Sequence, residues 1–304
     1  MALSLVSSKA RPVPIEHRKN FNHFILDIAW FGVLNGSAIA FIAVYATRLG
    51  ASTFQISLLN ASPAIVNLMF ALPAGRWLQH RPISRATFNS SVIHRWFYLA
   101  WIFLPFFFAP QEQIWLIVLM TVLMSIPGTA LSIGFNGLFA ATVPPEWRAQ
   151  IVGTRNAAYA LTSIVVTLVC GWLLDALPFP VGYQVVFLIG FIGAAMSSLH
   201  LWFVRPADEH RKPGNGKSLG DWAQPGAMSM WQGLRATVGL RFLMRSRPLS
   251  SHWFNPIKDL HFRKVLVFVF VVHLTLHLAV PLFPIYLVRE MGMSDQVIGL
   301  GNSI

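Results

Sequence analysis

Of 304 residues, 55% are hydrophobic and 11% charged, with a mean hydropathy of +0.57, which excludes an ordinary soluble domain, where about 25% of residues carry charge. Lys and Arg outnumber Asp and Glu by 23 to 11, an excess that would suggest nucleic acid on a soluble protein; here the basic residues sit between long apolar runs, which points away from nucleic acid. The one cysteine, Cys170, excludes a disulfide framework within the chain and supplies no metal motif.

The apolar runs reach membrane-spanning length, so the expected fold class is all-α, a polytopic membrane protein in the lipid bilayer. Residues 1–20 are a polar, basic tail. Helices are predicted over about 21–45, 56–78, 92–108, 114–143, 152–174 and 183–204, making 21–204 a six-helix transmembrane bundle. The first run is too long for a signal-peptide core and has no small-residue cleavage site, so it reads as a retained helix. Residues 110–113 (Pro-Gln-Glu-Gln) read as a turn, 144–148 (Pro-Pro-Glu-Trp-Arg) as a helix break, and 178–180 as a further turn.

A polar connection occupies 205–264. Its 208–220 part is charged and glycine-rich, a flexible linker. Farther on, Trp231, Leu234, Val238 and Phe242 form an apolar stripe with Arg235, Arg241 and Arg245 free for lipid headgroups, as in an interfacial helix. A partly ordered basic linker is the alternative, because Gly233 and Gly239 weaken a helix. A seventh helix is predicted over about 265–287, and an eighth has barely begun when the sequence ends. Residues 265–304 therefore read as the start of a second, truncated transmembrane bundle.

The basic residues fix an expected orientation. The N-terminal tail, the 2–3 and 4–5 loops and the long connection, with the helix ends beside them, hold every Lys and Arg except Arg48 and Arg289. Basic loops stay in the cytoplasm, which places the N-terminus inside, in the plasma membrane of a prokaryote.

The boundary between the first two helices returns near the end of the chain. Gly50, Ser52, Ile56, Leu58 and Asn60 recur as Gly292, Ser294, Ile298, Leu300 and Asn302 at one fixed offset, and Tyr45 and Arg48 recur as Tyr286 and Arg289 after a one-residue slip. A duplicated segment boundary implies two related halves.

Polar side chains inside the apolar runs mark a candidate cavity, because such groups are costly in hydrocarbon. Thr121, Ser125, Thr129, Ser132 and Asn136 share one face of helix 4; Asn156, Ser163, Thr167 and Cys170 share one face of helix 5; Asn60 and Asn67 share one face of helix 2. Small polar residues that merely join helices would give the same stripes. Asp27, the only carboxylate deep in an apolar run, has no polar neighbour on its own face. It is either a proton-carrying group or the partner of a cation on another helix, for which Arg95 is available. Asn35 follows, and Gly32 and Gly36 permit close helix contact or local unwinding. His273 and His277 share a face of helix 7 but lack the third ligand and acid of a metal site, leaving a cavity-lining or proton-sensitive role, or ordinary interior packing. No phosphate-binding loop or catalytic constellation occurs, so neither an enzyme nor a cofactor is expected.

Six helices, a basic connection and a second set that begins alike resemble the major facilitator superfamily. In Leu72-Pro73-Ala74-Gly75-Arg76-Trp77-Leu78-Gln79-His80-Arg81-Pro82-Ile83-Ser84-Arg85, Gly75, Arg81 and Arg85 match the family's 2–3 loop signature, while Gln79 and Pro82 stand where the family has Asp and Gly. Pro145-Glu146-Trp147-Arg148, Gly153-Thr154-Arg155-Asn156 and Gly171-Trp172-Leu173-Leu174-Asp175 are similar to the family's 4–5 loop and helix 5. The resemblance implies alternating-access transport of a small solute, with protons a possible coupling ion and Asp27 the coupling carboxylate. It also implies a cytoplasmic gate braced by Gly75, Arg76, Arg81, Arg85, Arg148 and Arg155. The alternative is a truncated or partner-dependent membrane protein without transport activity of its own.

Overall fold

The computed structural model describes residues 15–206, 260–278 and 282–303, and among these every regular element is helical. Helix α1 runs Ile15–Leu34, passes through a π turn at Asn35–Ile39 and continues over Ala40–Arg48. It is followed by α2 (Thr53–Gln79), α3 (Ile83–Phe107), α4 (Pro110–Thr142), α5 (Pro145–Ala176) and α6 (Val181–Phe203). Beyond the connection come α7 (Leu260–Leu278), a short helical stretch at 283–290 and α8 (Asp295–Ser303). Five of these helices are long and apolar enough to cross a membrane; α3 misses that measure, its apolar run broken by Ser90, Ser91, His94 and Arg95. The chain is a multi-pass membrane protein. The expected interfacial helix at 231–244 lies outside the described residues.

Helix α1 opens at Ile15, inside the expected 1–20 tail, and α7 spans Leu260–Leu278 instead of about 265–287. Three further boundaries differ from the sequence expectation, each for a local reason. Residues 110–113 are not a turn but the opening of α4: Pro110 needs no hydrogen bond for its nitrogen there, and Glu112 accepts from the Ala109 N–H at 2.9 Å. The break at 144–148 is confined to Val143 and Pro144, and α5 starts at Pro145 with Glu146 in its first turn. Helix α3 starts at Ile83 instead of 92, directly after Pro82. Both late-placed helices therefore begin farther toward the chain's basic loops than hydropathy alone suggests.

The six bundle helices form an arc in which neighbours run α5, α1, α6, α3, α4, α2. Glycines set the closest approaches. Gly32 and Gly36 of α1 leave no room for a methyl group against Tyr159, Thr162, Ser163 and Thr167 of α5, while Gly190 and Gly193 of α6 fit against Trp30, Leu34, Ser37 and Ala38. Both expectations for the Gly32–Gly36 segment hold, since the π turn begins beside this contact. Helix α8 packs on α5, where Gly171 meets the backbone of Asp295 and Gln296, and Gly299 meets the Thr167 carbonyl.

The bundle has two unlike ends. At the end with the basic loops, Phe21, Phe24, Leu138, Trp147 and Ile151 form a small separate cluster. At the other end, here called the narrow end, Tyr45, Trp101, Phe179, Tyr183 and Phe187 pack ring against ring, and Tyr45 donates a hydrogen bond to Gln113. These rings form an aromatic plug, all but Phe179 within the main hydrophobic core of the bundle.

The repeated boundary is repeated in backbone geometry. Gly50 and Gly292 both have positive φ, +96° and +58°, the left-handed conformation that ends a helix. Ser52 and Ser294 then cap the next helix by accepting from the N–H of Gln55 and Val297. In the first copy Leu49 N–H bonds the Tyr45 carbonyl and Ala51 N–H the Ala46 carbonyl; in the second, Met291 bonds Tyr286 and Met293 bonds Leu287. Each second-copy bond spans one more residue. That extra residue is held in the π turn Tyr286–Glu290, which explains the slip between Arg48/Arg289 and Gly50/Gly292.

Candidate functional site

A cavity of about 450 Å³ lies inside the arc, from mid-bundle toward the basic end. Helix α1 supplies Asp27, Ile28 and Phe31; α2 supplies Pro63 and Asn67; α3 supplies His94 and Arg95. Helix α4 contributes Ser125, Gly128, Thr129, Leu131, Ser132, Phe135 and Asn136, with Arg155 from α5 and Leu201 from α6.

Asp27 is 4% exposed and lies at the centre of a polar network. Ser197 donates to Asp27 Oδ1 at 2.5 Å and accepts from Arg95 Nη2 at 2.8 Å, so the serine bridges the two charges. The Arg95 Nη1 donates to the Ala194 carbonyl and to Ser198 Oγ, and Ser198 shares a 2.7 Å hydrogen bond with Ser91. Arg155 Nη2 stands 3.5 Å from Asp27 Oδ2, a direct ion pair. Its guanidinium lies 4.3 Å from the Phe135 ring centroid and within 6 Å of Phe24 and Phe139.

Two guanidinium groups thus face one carboxylate. With histidine neutral, these three buried side chains carry an excess of one positive charge, and burial makes charge count for more than at a surface. The Nε atoms of both arginines are buried without a hydrogen-bond partner among the described residues. A carboxylate presented by a bound solute would meet the excess positive charge. His94 Nδ1 stands 2.8 Å from the Met124 carbonyl, which only accepts, so Nδ1 carries the proton there.

The sequence candidates divide. Asp27, Asn67, Arg95, Ser125, Thr129, Ser132 and Asn136 converge on the cavity. Ser125 and Thr129, like Thr121, donate their hydroxyl protons to carbonyls one turn back on α4, so they offer the cavity chiefly acceptor oxygens. Asn35 lies outside it and donates to Ser163 at 2.9 Å, tying α1 to α5. Asn60 bonds its own helix at the Ile56 carbonyl, and Asn156 is exposed. The α5 stripe is thus split: Thr167 and Cys170 are buried while Asn156 is exposed. His273 and His277 lie on α7, and their side chains are outside the described residues.

The expected gate residues also divide. Arg155 is not at a loop: it lies ten residues beyond Pro145, about 15 Å along α5, and belongs to the cavity. Arg148 caps the preceding helix instead, donating to the Val143 and Ala140 carbonyls. Arg81 lies over the Trp77 ring at 4.7 Å; Arg76 and Arg85 are exposed, and Gly75 has open space beside it. Among the described residues no ion pair includes Arg76, Arg81 or Arg85, as fits the absence of an acid at Gln79. Arg155 and His94 line the cavity, and Ser197 and Ser198 seat Arg95 behind it, roles that the sequence reading did not assign. A helix start at the Pro144-Pro145-Glu146 signal would have carried Arg155 into the membrane.

A family model described as Major Facilitator Superfamily matches residues 21–303. A protein described as the cis,cis-muconate transport protein of Acinetobacter baylyi is 35% identical over 75 residues, 25% of this chain. The matched stretch spans 17% of that relative's length. No solved structure matches.

Proposed function

This chain belongs to the Major Facilitator Superfamily, and we propose that it acts in secondary transport of small organic anions by alternating access, with its basic end in the cytoplasm of a prokaryotic cell. The observation that carries the substrate class is the pairing of Arg95 and Arg155 with a single buried carboxylate in the cavity. The relative that moves cis,cis-muconate, a dianion, supports the same class.

In this reading Arg155 is the primary anion-binding group, and Arg95, seated on Ser197 and Ser198, supplies background positive charge. Asp27 holds Arg155 while the site is empty. A proton on Asp27 weakens that hold and frees Arg155 for a solute carboxylate, so proton and anion occupy the site together. Phe31, Phe135, Ile28 and Leu131 offer the apolar wall that a hydrocarbon acid requires.

The test is binding to the intact protein in nanodiscs, using cis,cis-muconate, smaller carboxylates and the corresponding neutral amides. Acids should bind at least tenfold more tightly than their amides. Equal binding of acids and amides, or preference for cations, overturns the anion assignment.

A further inference from the structure

The two copies of the repeated boundary hold each other. Arg48, in the first copy, reaches the second: Nη2 donates to Asp295 Oδ1 at 2.9 Å and to the Met293 carbonyl at 3.3 Å, and Nε donates to Asp295 Oδ1 at 3.1 Å. Arg289, in the second copy, reaches the first, donating to the Ala51 and Thr47 carbonyls. Ala51 and Met293 are equivalent positions in the repeat. Each arginine therefore satisfies the same carbonyl in the opposite copy, a reciprocal exchange about a local pseudo-twofold.

Two further groups tie this seam. Tyr183 donates to Asp295 Oδ1 at 3.0 Å and accepts from Arg48 Nε at 3.1 Å. Asp175, at the end of α5, accepts from the Asp295 and Gln296 N–H groups and so caps α8 from the other half. All of these bonds lie at the narrow end, joined to the aromatic plug through Tyr183, on the side away from the cavity.

We propose that this exchange is the narrow-end gate latch, holding the two halves together in the state where the cavity faces the basic end and releasing when it faces the other side. The inference rests on the alternating-access reading. Its chemistry suits a latch: Arg48 is 29% exposed at the side chain, so water can replace its bonds when the halves part. An apolar seam would offer no such exchange. Asp295 is the asymmetric element, because the equivalent first-copy residue is Thr53, and the one carboxylate gathers Arg48 and Tyr183 into a single knot.

The test uses the intact protein in nanodiscs with Cys170 replaced and spin labels at Phe54 and Met291, two exposed narrow-end positions on opposite halves. Pulsed electron resonance should give one short distance population in the parent. Asp295→Asn should move at least half of it to longer distances, Arg289→Gln a smaller share and Tyr183→Phe least. Should Asp295→Asn fail to fold, Arg289→Gln decides, since that guanidinium meets only backbone carbonyls. Unchanged distances in the folded variants overturn the latch. A protein whose distances shift but which moves no anion keeps the latch and contradicts the transport reading; one that moves anions with fixed distances does the reverse.

Discussion

Two ion pairs occur among the described residues, and they are built for different work. Arg155–Asp27 lies within one half, deep in the bundle, at 3.5 Å. Arg48–Asp295 joins the two halves at the narrow end, at 2.9 Å, with one partner open to water. The deep pair is looser, ringed by aromatic side chains and backed by a second arginine. The deep carboxylate divides its oxygens between Ser197 and Arg155, whereas three donors converge on one oxygen, Oδ1, of the narrow-end carboxylate. The contrast underlies the proposal that the first pair serves solute recognition and the second closure.

Breaking the deep pair should have the largest effect. Arg155→Gln should lower anion uptake by at least a hundredfold in proteoliposomes. Leaving Asp27 buried without its partner should also cost about 3–5 kcal/mol of stability. The double variant Asp27→Asn/Arg155→Gln should regain thermal stability without regaining uptake, which separates folding from function. Recovery of uptake in the double variant would make the pair structural only.

Asp27→Asn alone sharpens the role of the carboxylate. Uphill accumulation should be abolished while exchange of labelled for unlabelled solute persists. Unchanged accumulation would sink Asp27 as the coupling group.

Ser197→Ala should act more mildly. It removes the hydroxyl between Arg95 and Asp27 and costs about 1–3 kcal/mol, read as a fall in melting temperature, with uptake reduced several-fold. Ser197→Thr keeps the hydroxyl and should restore uptake.

The smallest effect belongs to the turn backbones. Gly50→Ala and Gly292→Ala force a side chain into the left-handed region and should each cost about 1–2 kcal/mol. Gly50 has open space around it, so the cost is conformational, and equal uptake per folded molecule is expected.

The helical fold, the polar face of α4, Asp27 and the duplicated boundary were all legible in the sequence, because hydropathy and a fixed repeat are local signals. The start of α5 was written there too, in Pro144-Pro145-Glu146, but apolar content only begins at 152 and masked it. That shift left Arg155 in the first turn of the predicted helix, beside the loop, and hid it from the cavity. The same effect at α3 put Arg95 near a helix end, although it lies mid-helix between Ile83 and Phe107. Ser197 and Ser198 carry no distinguishing pattern in an apolar helix; their role as a seat for Arg95 appears only when α3 and α6 pack together. The reciprocal use of Arg48 and Arg289 likewise requires both copies in contact. Their sequence equivalence marks the repeat but not the exchange.

The central claim is that Arg155 recognises an organic anion. Uptake of labelled cis,cis-muconate by the intact protein in proteoliposomes, compared with Arg155→Gln and Arg155→Lys, tests it most directly. Uptake should be saturable, blocked by competing carboxylates and not by amides, lost in the glutamine variant and partly kept in the lysine variant. Uptake of carboxylates that is equal in all three proteins would contradict it.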